Sequence, residues 1–338
     1  MRDDPGLDLG AIAACLAANY GVCVASMAYL PIGYDYAAFV YRVVAEDGAV
    51  WFLKIRSGPV FEPGLAVPAA LTEAGVPNVL APLRTRAGDL WCRLGDFAAI
   101  LYPFVPGENA MDAGLDDGQW RTFGATLRAV HDSGLHGRFR DRLAAETFAL
   151  PSAAVAREVG AVVEAGGFAG AAARFAAAWR EHAARIEWVL ARAGALGREL
   201  AARSWDPVLC HADIHAANLL VGADGRIYLV DWDGPKIAPR ERDLLFVVGS
   251  TIARVVEPRE EALFFAGYGP VAVDPVCLAF YRYERVIEDI GEFGKTILLD
   301  PTLSEDARAA AAELAIGNLA PGGPIEAAET VLQTWSAG

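Results

Sequence analysis

The segment His211-Ala212-Asp213-Ile214-His215-Ala216-Ala217-Asn218 sets an Asp two residues after a His and an Asn five residues after that Asp. Beyond Asn218, directly after the apolar run Ile227–Val230, stands Asp231-Trp232-Asp233. These side chains supply hard oxygen atoms of the kind that Mg2+ prefers. The set suits phosphoryl transfer from ATP to a hydroxyl group. Asp213 would orient the attacking hydroxyl or take its proton, while Asn218 and Asp231 would hold the Mg2+ that bridges the phosphates. Far upstream, Lys54 near the end of the run Val50–Arg56 can reach the α- and β-phosphates. Such chemistry needs no covalent enzyme intermediate, because positioning and charge neutralisation do most of the work.

The surrounding sequence predicts the elements that must place these groups. A short helix is expected over 8–19 and strands over 23–31, 38–44 and 50–56, with a hairpin turn at Glu46-Asp47-Gly48. Alternation puts Val50, Phe52 and Lys54 on one face of the third strand and Trp51, Leu53 and Ile55 on the other. A helix near 62–74 and strands near 78–83, 90–94 and 97–102 complete the first part. Tyr102-Pro103-Phe104-Val105-Pro106-Gly107 reads as a stiff linker. Helical periods dominate beyond it, as in Trp120, Phe123, Leu127 and Val130 and in one helix over 171–192. The Ala/Gly-rich stretch 153–173 reads as filler. A strand at Val208–Cys210 and a hairpin around Gly222-Ala223-Asp224-Gly225 interrupt the helical part. The expected organisation is a nucleotide-binding lobe over 1–102, a hinge over 103–107 and a catalytic and acceptor-binding lobe over 108–338.

At 338 residues the chain has room for about two domains. Its 54% hydrophobic content excludes a disordered chain. The net charge of −14 argues against binding nucleic acid and favours a cationic small molecule. Five widely spaced cysteines without a C-x-x-C indicate neither a disulfide framework nor a zinc site, and reduced thiols are expected. The charge-free run between Asp8 and Asp35 is interrupted by Asn19, Tyr20 and Gly21, and the residues before it are acidic rather than basic. A cytoplasmic protein without a membrane span is expected.

The motifs resemble those of the aminoglycoside phosphotransferase family, which carries H-x-D in the loop and replaces D-F-G as Asp231-Trp232-Asp233 does here. Within it, the likeness is to spectinomycin phosphotransferases. It is carried by Leu30-Pro31-Ile32-Gly33-Tyr34-Asp35, Phe52-Leu53-Lys54-Ile55-Arg56, Val230-Asp231-Trp232-Asp233-Gly234-Pro235 and Ala238-Pro239-Arg240-Glu241-Arg242-Asp243-Leu244. It spans about 10 to 295. It implies an α+β, bilobal, protein-kinase-like fold, with a small antiparallel sheet in the N-lobe and a mainly helical C-lobe. It also implies transfer of the ATP γ-phosphoryl group to a hydroxyl of a cationic aminocyclitol or aminoglycoside antibiotic, with spectinomycin the foremost candidate. Gly33 would cradle phosphates, although no G-x-G-x-x-G is present. Glu62 would be the helix partner of Lys54, with Glu73 the alternative. Adenine would stack under the linker near the backbone of Leu101 and Phe104. His211 would orient the loop, and Asp243 would brace it.

The expected acceptor side is the helix Tyr281–Glu292, where Glu284, Glu288 and Glu292 recur at i, i+4 and i+8 with Asp289 alongside. A solvated face with Arg285 paired to Asp289 is the competing reading. Residues 1–105 carry 7 Lys+Arg and 10 Asp+Glu, and residues 106–338 carry 22 and 33, so the acidity is concentrated in the later part. This favours Glu284, Glu288 and Asp289 as substrate contacts. Three other functions compete: a kinase of another hydroxylated metabolite, a metallohydrolase using His211, Asp213 and His215, and a kinase-like binding protein without turnover. A dyad of Cys210 and His211 is opposed by strand alternation, which points neighbours to opposite faces.

Overall fold

A computed structural model describes residues 6–32, 37–252, 254–301, 303–320 and 322–336. Ten strands form among them: β1 Val24–Leu30, β2 Ala38–Ala45, β3 Val50–Ser57, β4 Cys92–Leu94, β5 Phe97–Pro103, β6 Gly107–Asn109, β7 Val208–Cys210, β8 Leu219–Gly222, β9 Ile227–Leu229 and β10 Lys236–Ala238. The fold is α+β, as expected. The chain divides into two units. One takes the chain up to Leu143 with His211–Pro235 and Ala266–Tyr268, and the other takes the remainder.

In the first unit an antiparallel sheet runs in the order β1-β2-β3-β5-β4. Its hairpin turn closes as expected, with the Gly48 N–H donating to Ala45 O and Gly48 at φ 86°. The alternation of β3 sorts its side chains. Leu53 and Ile55 are buried with Tyr41, Val43, Leu101, Ile12 and Leu16 in one core, so the helix Leu9–Tyr20 packs on that face. Phe52 and Lys54 point to the other face and line a cavity. Asp8 caps that helix by accepting from the N–H groups of Gly10 and Ala11, and Gly21 ends it at φ 72°. No described helix is long and apolar enough to cross a membrane.

The segment 78–83 is not the expected strand. Asn78 has φ 57°, and the segment divides its hydrogen bonds: Asn78 O and Leu80 N pair with Leu229, whereas Leu83 N donates to Leu101 O. It therefore crosses from β9 to β5 and extends neither sheet. The helix near 62–74 forms as Glu62–Glu73, with Pro63 in its first turn and Pro68 accommodated inside. A three-stranded sheet, β6-β8-β9, carries the end of the linker. Gly107 pairs with Gly222, and the Ala223 N–H donates to Pro106 O.

In the second unit β7 and β10 pair, and helices make up the rest. The Ala-rich stretch is no filler. Ser152–Ala165 is a helix that buries Ala153, Ala156, Val159 and Val163. Small alanines give a weak hydrophobic stripe, so the period is easily missed. The expected helix over 171–192 is two, Gly170–Glu181 and Ala183–Ala201, broken at His182 (φ −97°, ψ 7°). The long helix Pro275–Leu299 contains the acidic run.

The close pass at Gly107 gives a test. A Cβ there would lie 2.1 Å from Val221 O, so Gly107→Ala must push β6 away from β8. A loss of about 1–3 kcal/mol is expected in urea unfolding. Gly137→Ala, which faces open space, should be nearly neutral.

Candidate active site

The site is assembled within the first unit from β3, the loop His211–Asn218 and the turn after β9. His211 is fully buried. Its Nε2 lies 2.9 Å from Val230 O, which only accepts, so Nε2 carries the proton. Nδ1 then accepts from the Asp213 N–H at 3.4 Å. His211 thus ties the loop to the end of β9, as a loop-orienting role requires. With both ring nitrogens engaged, it has no lone pair to offer a metal, and the hydrolase reading loses a ligand.

The loop turns through Ala212 at φ 70°, a left-handed conformation that residues with a Cβ rarely adopt. Asp213 follows, with a side chain 40% exposed. Asn218 Nδ2 donates to Asp213 O at 2.7 Å and lies 3.4 Å from its Oδ2. This turns the Asn218 amide back toward the Asp, as the five-residue spacing predicts, and leaves Oδ1 as its acceptor atom. His215 takes the Ala217 N–H on Nδ1, and its Nε2 sits 3.5 Å from Asp213 Oδ2. Asp213 is therefore flanked by two nitrogen donors.

Trp232 anchors the second acidic motif. It is 3% exposed, its ring centroid lies 4.4 Å from that of His211, and its Nε1 donates to Leu229 O. Its carbonyl oxygen would be 2.7 Å from a Cβ at Gly64, so helix Glu62–Glu73 approaches it where only glycine fits. Asp231, at φ 62°, is the second residue here with a left-handed backbone. With Trp232 held inward, Asp231 and Asp233 both reach Lys54. Its Nζ lies 3.1 Å from Asp233 Oδ2 and 3.8 Å from Asp231 Oδ1, and Arg56 lies 3.9 Å from Asp233.

A cavity of about 440 Å3 contains this constellation. Lys54, Asn218, Asp231 and Asp233 lie on its polar side, and Val40, Phe52, Tyr102, Phe104 and Leu220 on its apolar side. Asp231 lines the cavity with a half-exposed side chain. Removal from bulk water pushes its carboxyl above the usual range; Lys54 opposes this, and Asp233 adds to it. The Tyr102 phenol is raised as well, by burial first and then by Asp233 and Asp231. Two carboxylates and the Asn218 amide thus line one cavity. Such a donor set fits a divalent cation with hard-ligand preference.

Several expected residues stand elsewhere. Glu62 lies 3.6 Å from Arg142, and Glu73 pairs with Arg84 at 2.5 Å, so neither is the carboxylate that Lys54 meets. Asp233 was legible as part of the acidic motif, and its i, i+2 spacing from Asp231 around a buried Trp is the signal that pairs it with Lys54. Leu101 does not line the cavity. It is fully buried in the opposite core, and its carbonyl accepts from Leu83. Tyr102, Pro103, Phe104 and Val105 form the linker edge instead, with the Phe104 N–H directed to Val50 O and Arg42 over the Phe104 ring at 5.4 Å. Gly33 lies outside the described residues.

In the second unit Asp243 is fully buried on the short helix Glu241–Leu244. The acidic row is not an exposed row of repelling charges. Glu284 is buried and ion-paired with Arg242, whose guanidinium lies 5.2 Å from the Tyr281 ring centroid. Asp289 pairs with Arg285 at 3.0 Å and accepts from Asn318 at 3.3 Å. The period of the helix turns these two carboxylates onto basic and amide partners, and Glu288 is half-buried between them.

Comparison with known proteins agrees with the motifs. The model of the phosphotransferase enzyme family (APH) matches residues 29–281. Protein StrN of Streptomyces griseus is 30% identical over 227 residues, which cover 64% of this chain and 67% of StrN. A crystal structure of spectinomycin phosphotransferase in complex with ADP and spectinomycin is 28% identical, with a TM-score of 0.86 over 97% of this chain and 99% of that one. An amicoumacin kinase in complex with AMP-PNP, Ca2+ and Ami shares the fold at 18% identity, with a TM-score of 0.64 over 95% of this chain and 97% of that one. The chain belongs to the phosphotransferase enzyme family.

Proposed function

We propose that the protein is an ATP-dependent O-phosphotransferase that acts on a hydroxyl of a cationic aminocyclitol, with spectinomycin the foremost candidate. One observation carries this reading: the Lys54 ammonium and its Asp231 and Asp233 carboxylate partners line one cavity with Asn218, whose side-chain amide bonds directly to Asp213. Phosphate-holding and hydroxyl-orienting groups are thereby adjacent. The complex of the similar spectinomycin phosphotransferase with ADP and spectinomycin supports the substrate pair.

In this reading the adenine lies against Phe52, Phe104 and Leu220 at the linker edge. Lys54 leaves Asp233 to meet the nucleotide phosphates. Asn218 Oδ1 and the Asp231 carboxylate would hold Mg2+, which supplies charge neutralisation to the phosphates. Asp213, kept in place by Asn218 and His215, orients the acceptor hydroxyl and takes its proton as the bond to phosphorus forms. His211 supports the loop without touching substrate. Of the acidic helix, Glu288 remains the carboxylate best suited to a cationic acceptor, because Glu284 and Asp289 are already paired. Among phosphoryl acceptors, the net charge of −14 favours cations over anionic metabolites.

A panel of aminocyclitols and aminoglycosides assayed for ADP release tests the substrate. Release with spectinomycin above that with neutral sugars is expected, and no release with any cationic acceptor would sink the reading. Asp213→Asn should lower kcat by about 10²–10⁴-fold and leave the affinity for ATP unchanged; wild-type turnover would remove Asp213 from the reaction. Glu288→Gln should raise KM for the acceptor, and not for ATP, in steady-state kinetics.

Asp231→Asn should abolish transfer and the rise in Tm that Mg2+ produces. Its effect on the metal-free protein follows from the raised carboxyl. A carboxyl whose folded pKa is raised contributes stability that is complete below its unfolded pKa, about 3.9, and lost as pH rises through the folded value. At neutral pH the ionised Asp231 is therefore a net cost, and Asp231→Asn should unfold no earlier than wild type without metal. A large fall in metal-free Tm would mark Asp231 as a structural residue.

A further inference from the structure

All five cysteines are free, and two of them meet. Cys15 on helix Leu9–Tyr20 has its Sγ 3.4 Å from that of Cys92, the first residue of β4. A disulfide bond is about 2.05 Å long, so the sulfurs need to close by little more than roughly one ångström. Their supports hold them together. Ile12 and Leu16 of the helix share a core with Cys92, and Tyr20 OH donates to the carbonyl of Ala99, the residue paired with Cys92 across the sheet.

Small molecules can reach the pair. Cys15 is half-buried, and Cys92 lines a cavity of about 660 Å3 with Asn19, Trp91 and Arg93. Asn19 Nδ2 lies 3.6 Å from Cys15 Sγ and would stabilise its thiolate. Burial and the neighbouring thiol push Cys92 up to about 12, so Cys92 keeps its proton at neutral pH. Neither sulfur borders the cavity that holds Lys54 and Asp231.

We propose that Cys15 and Cys92 form a dithiol redox site, which a peroxide closes to an intramolecular disulfide. The Cys15 thiolate attacks one peroxide oxygen and the O–O bond breaks. Cys15 becomes a sulfenic acid, and the departing hydroxide takes up a proton to leave as water. Cys92 then gives up its proton and attacks Cys15 Sγ, the S–O bond breaks, and a second water leaves. Two thiols lose two electrons, and the peroxide is reduced to two waters. The bond would tie the helix to the sheet across a sequence separation of 77 residues, which restricts the unfolded chain far more than the folded one.

The test treats the full-length protein with hydrogen peroxide after removal of reductant. A mass lower by two hydrogens, two thiols lost, and a tryptic peptide linking Cys15 to Cys92 are expected. Tm should rise by roughly 5–10 °C and return on adding dithiothreitol. Cys15→Ser and Cys92→Ala should each remove the shift, and Cys23→Ser should keep it. Should Cys92→Ala fail to fold, Cys15→Ser decides the point alone, because that site is half-exposed. Retention of all five thiols, oxygen added at Cys15 without a cross-link, or a cross-link through the exposed Cys23 would each overturn the proposal.

Discussion

The ammonium of Lys54 faces two carboxylates, Asp231 and Asp233, the second of them 179 residues further along the chain. Asp231 and Asp233 both reach it while Trp232 between them turns into the interior, its indole against the His211 ring and its carbonyl beside Gly64. With the indole inward and a left-handed turn of the backbone at Asp231, the carboxylates on either side of it both reach Lys54. The same burial explains Gly64, whose missing Cβ lets the helix approach the Trp232 carbonyl. Moving the indole would therefore misplace both acids and the helix together. The cation also has a static use: it offsets part of the repulsion between Asp231 and Asp233.

The loop itself is held in a conformation that its residues resist. Ala212 and Asp231 both have positive φ, and neither is glycine. Such residues cost of order 1–3 kcal/mol each and persist only where the surroundings over-determine them. Here the surroundings are visible. The His211 ring bonds to Val230 O and to the Asp213 N–H, and Val230 N donates to Asn218 O, so the strands and the loop close on one another. Added to the raised Asp231 carboxyl, this strain describes a site less stable than a purely structural loop of the same length. A cation and a nucleotide that bind the folded form would return part of that stability through linkage.

What the sequence reveals of this arrangement follows from local chemistry. The five-residue step from Asp213 to Asn218 is readable because it is covalent, and the Asn218 amide does turn back to the Asp213 carbonyl. The split of β3 into a core face and a cavity face is readable because pleating imposes a period of two. Pairings across long separations are not. Lys54 could have met Glu62, Glu73, Asp231 or Asp233, and nothing local decides among them. Arg142 and Arg84 take the first two, which a linear reading cannot see. The Leu101 carbonyl is lost to Leu83 for the same reason, since a crossing segment satisfied its backbone against two sheets at once. The Ala-rich helix Ser152–Ala165 failed in another way: its buried residues are too small to stand out from the rest of the stretch.

The acidic helix shows how a charge pattern and a charge environment differ. Spaced at i, i+4 and i+8, its glutamates read as a repelling row that a dication would relieve. Folded, Glu284 is committed to Arg242 and the neighbouring Asp289 to Arg285, so the first member of the row has an internal partner while Glu292 is exposed. A buried Glu–Arg pair gains little net energy over apolar packing, but losing one partner leaves the other stranded, which makes the pair a fixed structural element. In the proposed reading, attraction of a cationic acceptor would come from what pairing leaves over, the surplus of acids over bases in residues 106–338. Field of that kind acts over about a Debye length, roughly 8 Å in physiological salt, and selects for charge sign more than for shape. If the acceptor is a cation as proposed, discrimination among such acceptors would therefore rest on short-range contacts to the acceptor's hydroxyls, of which the one proposed for Asp213 would be part of the reaction itself.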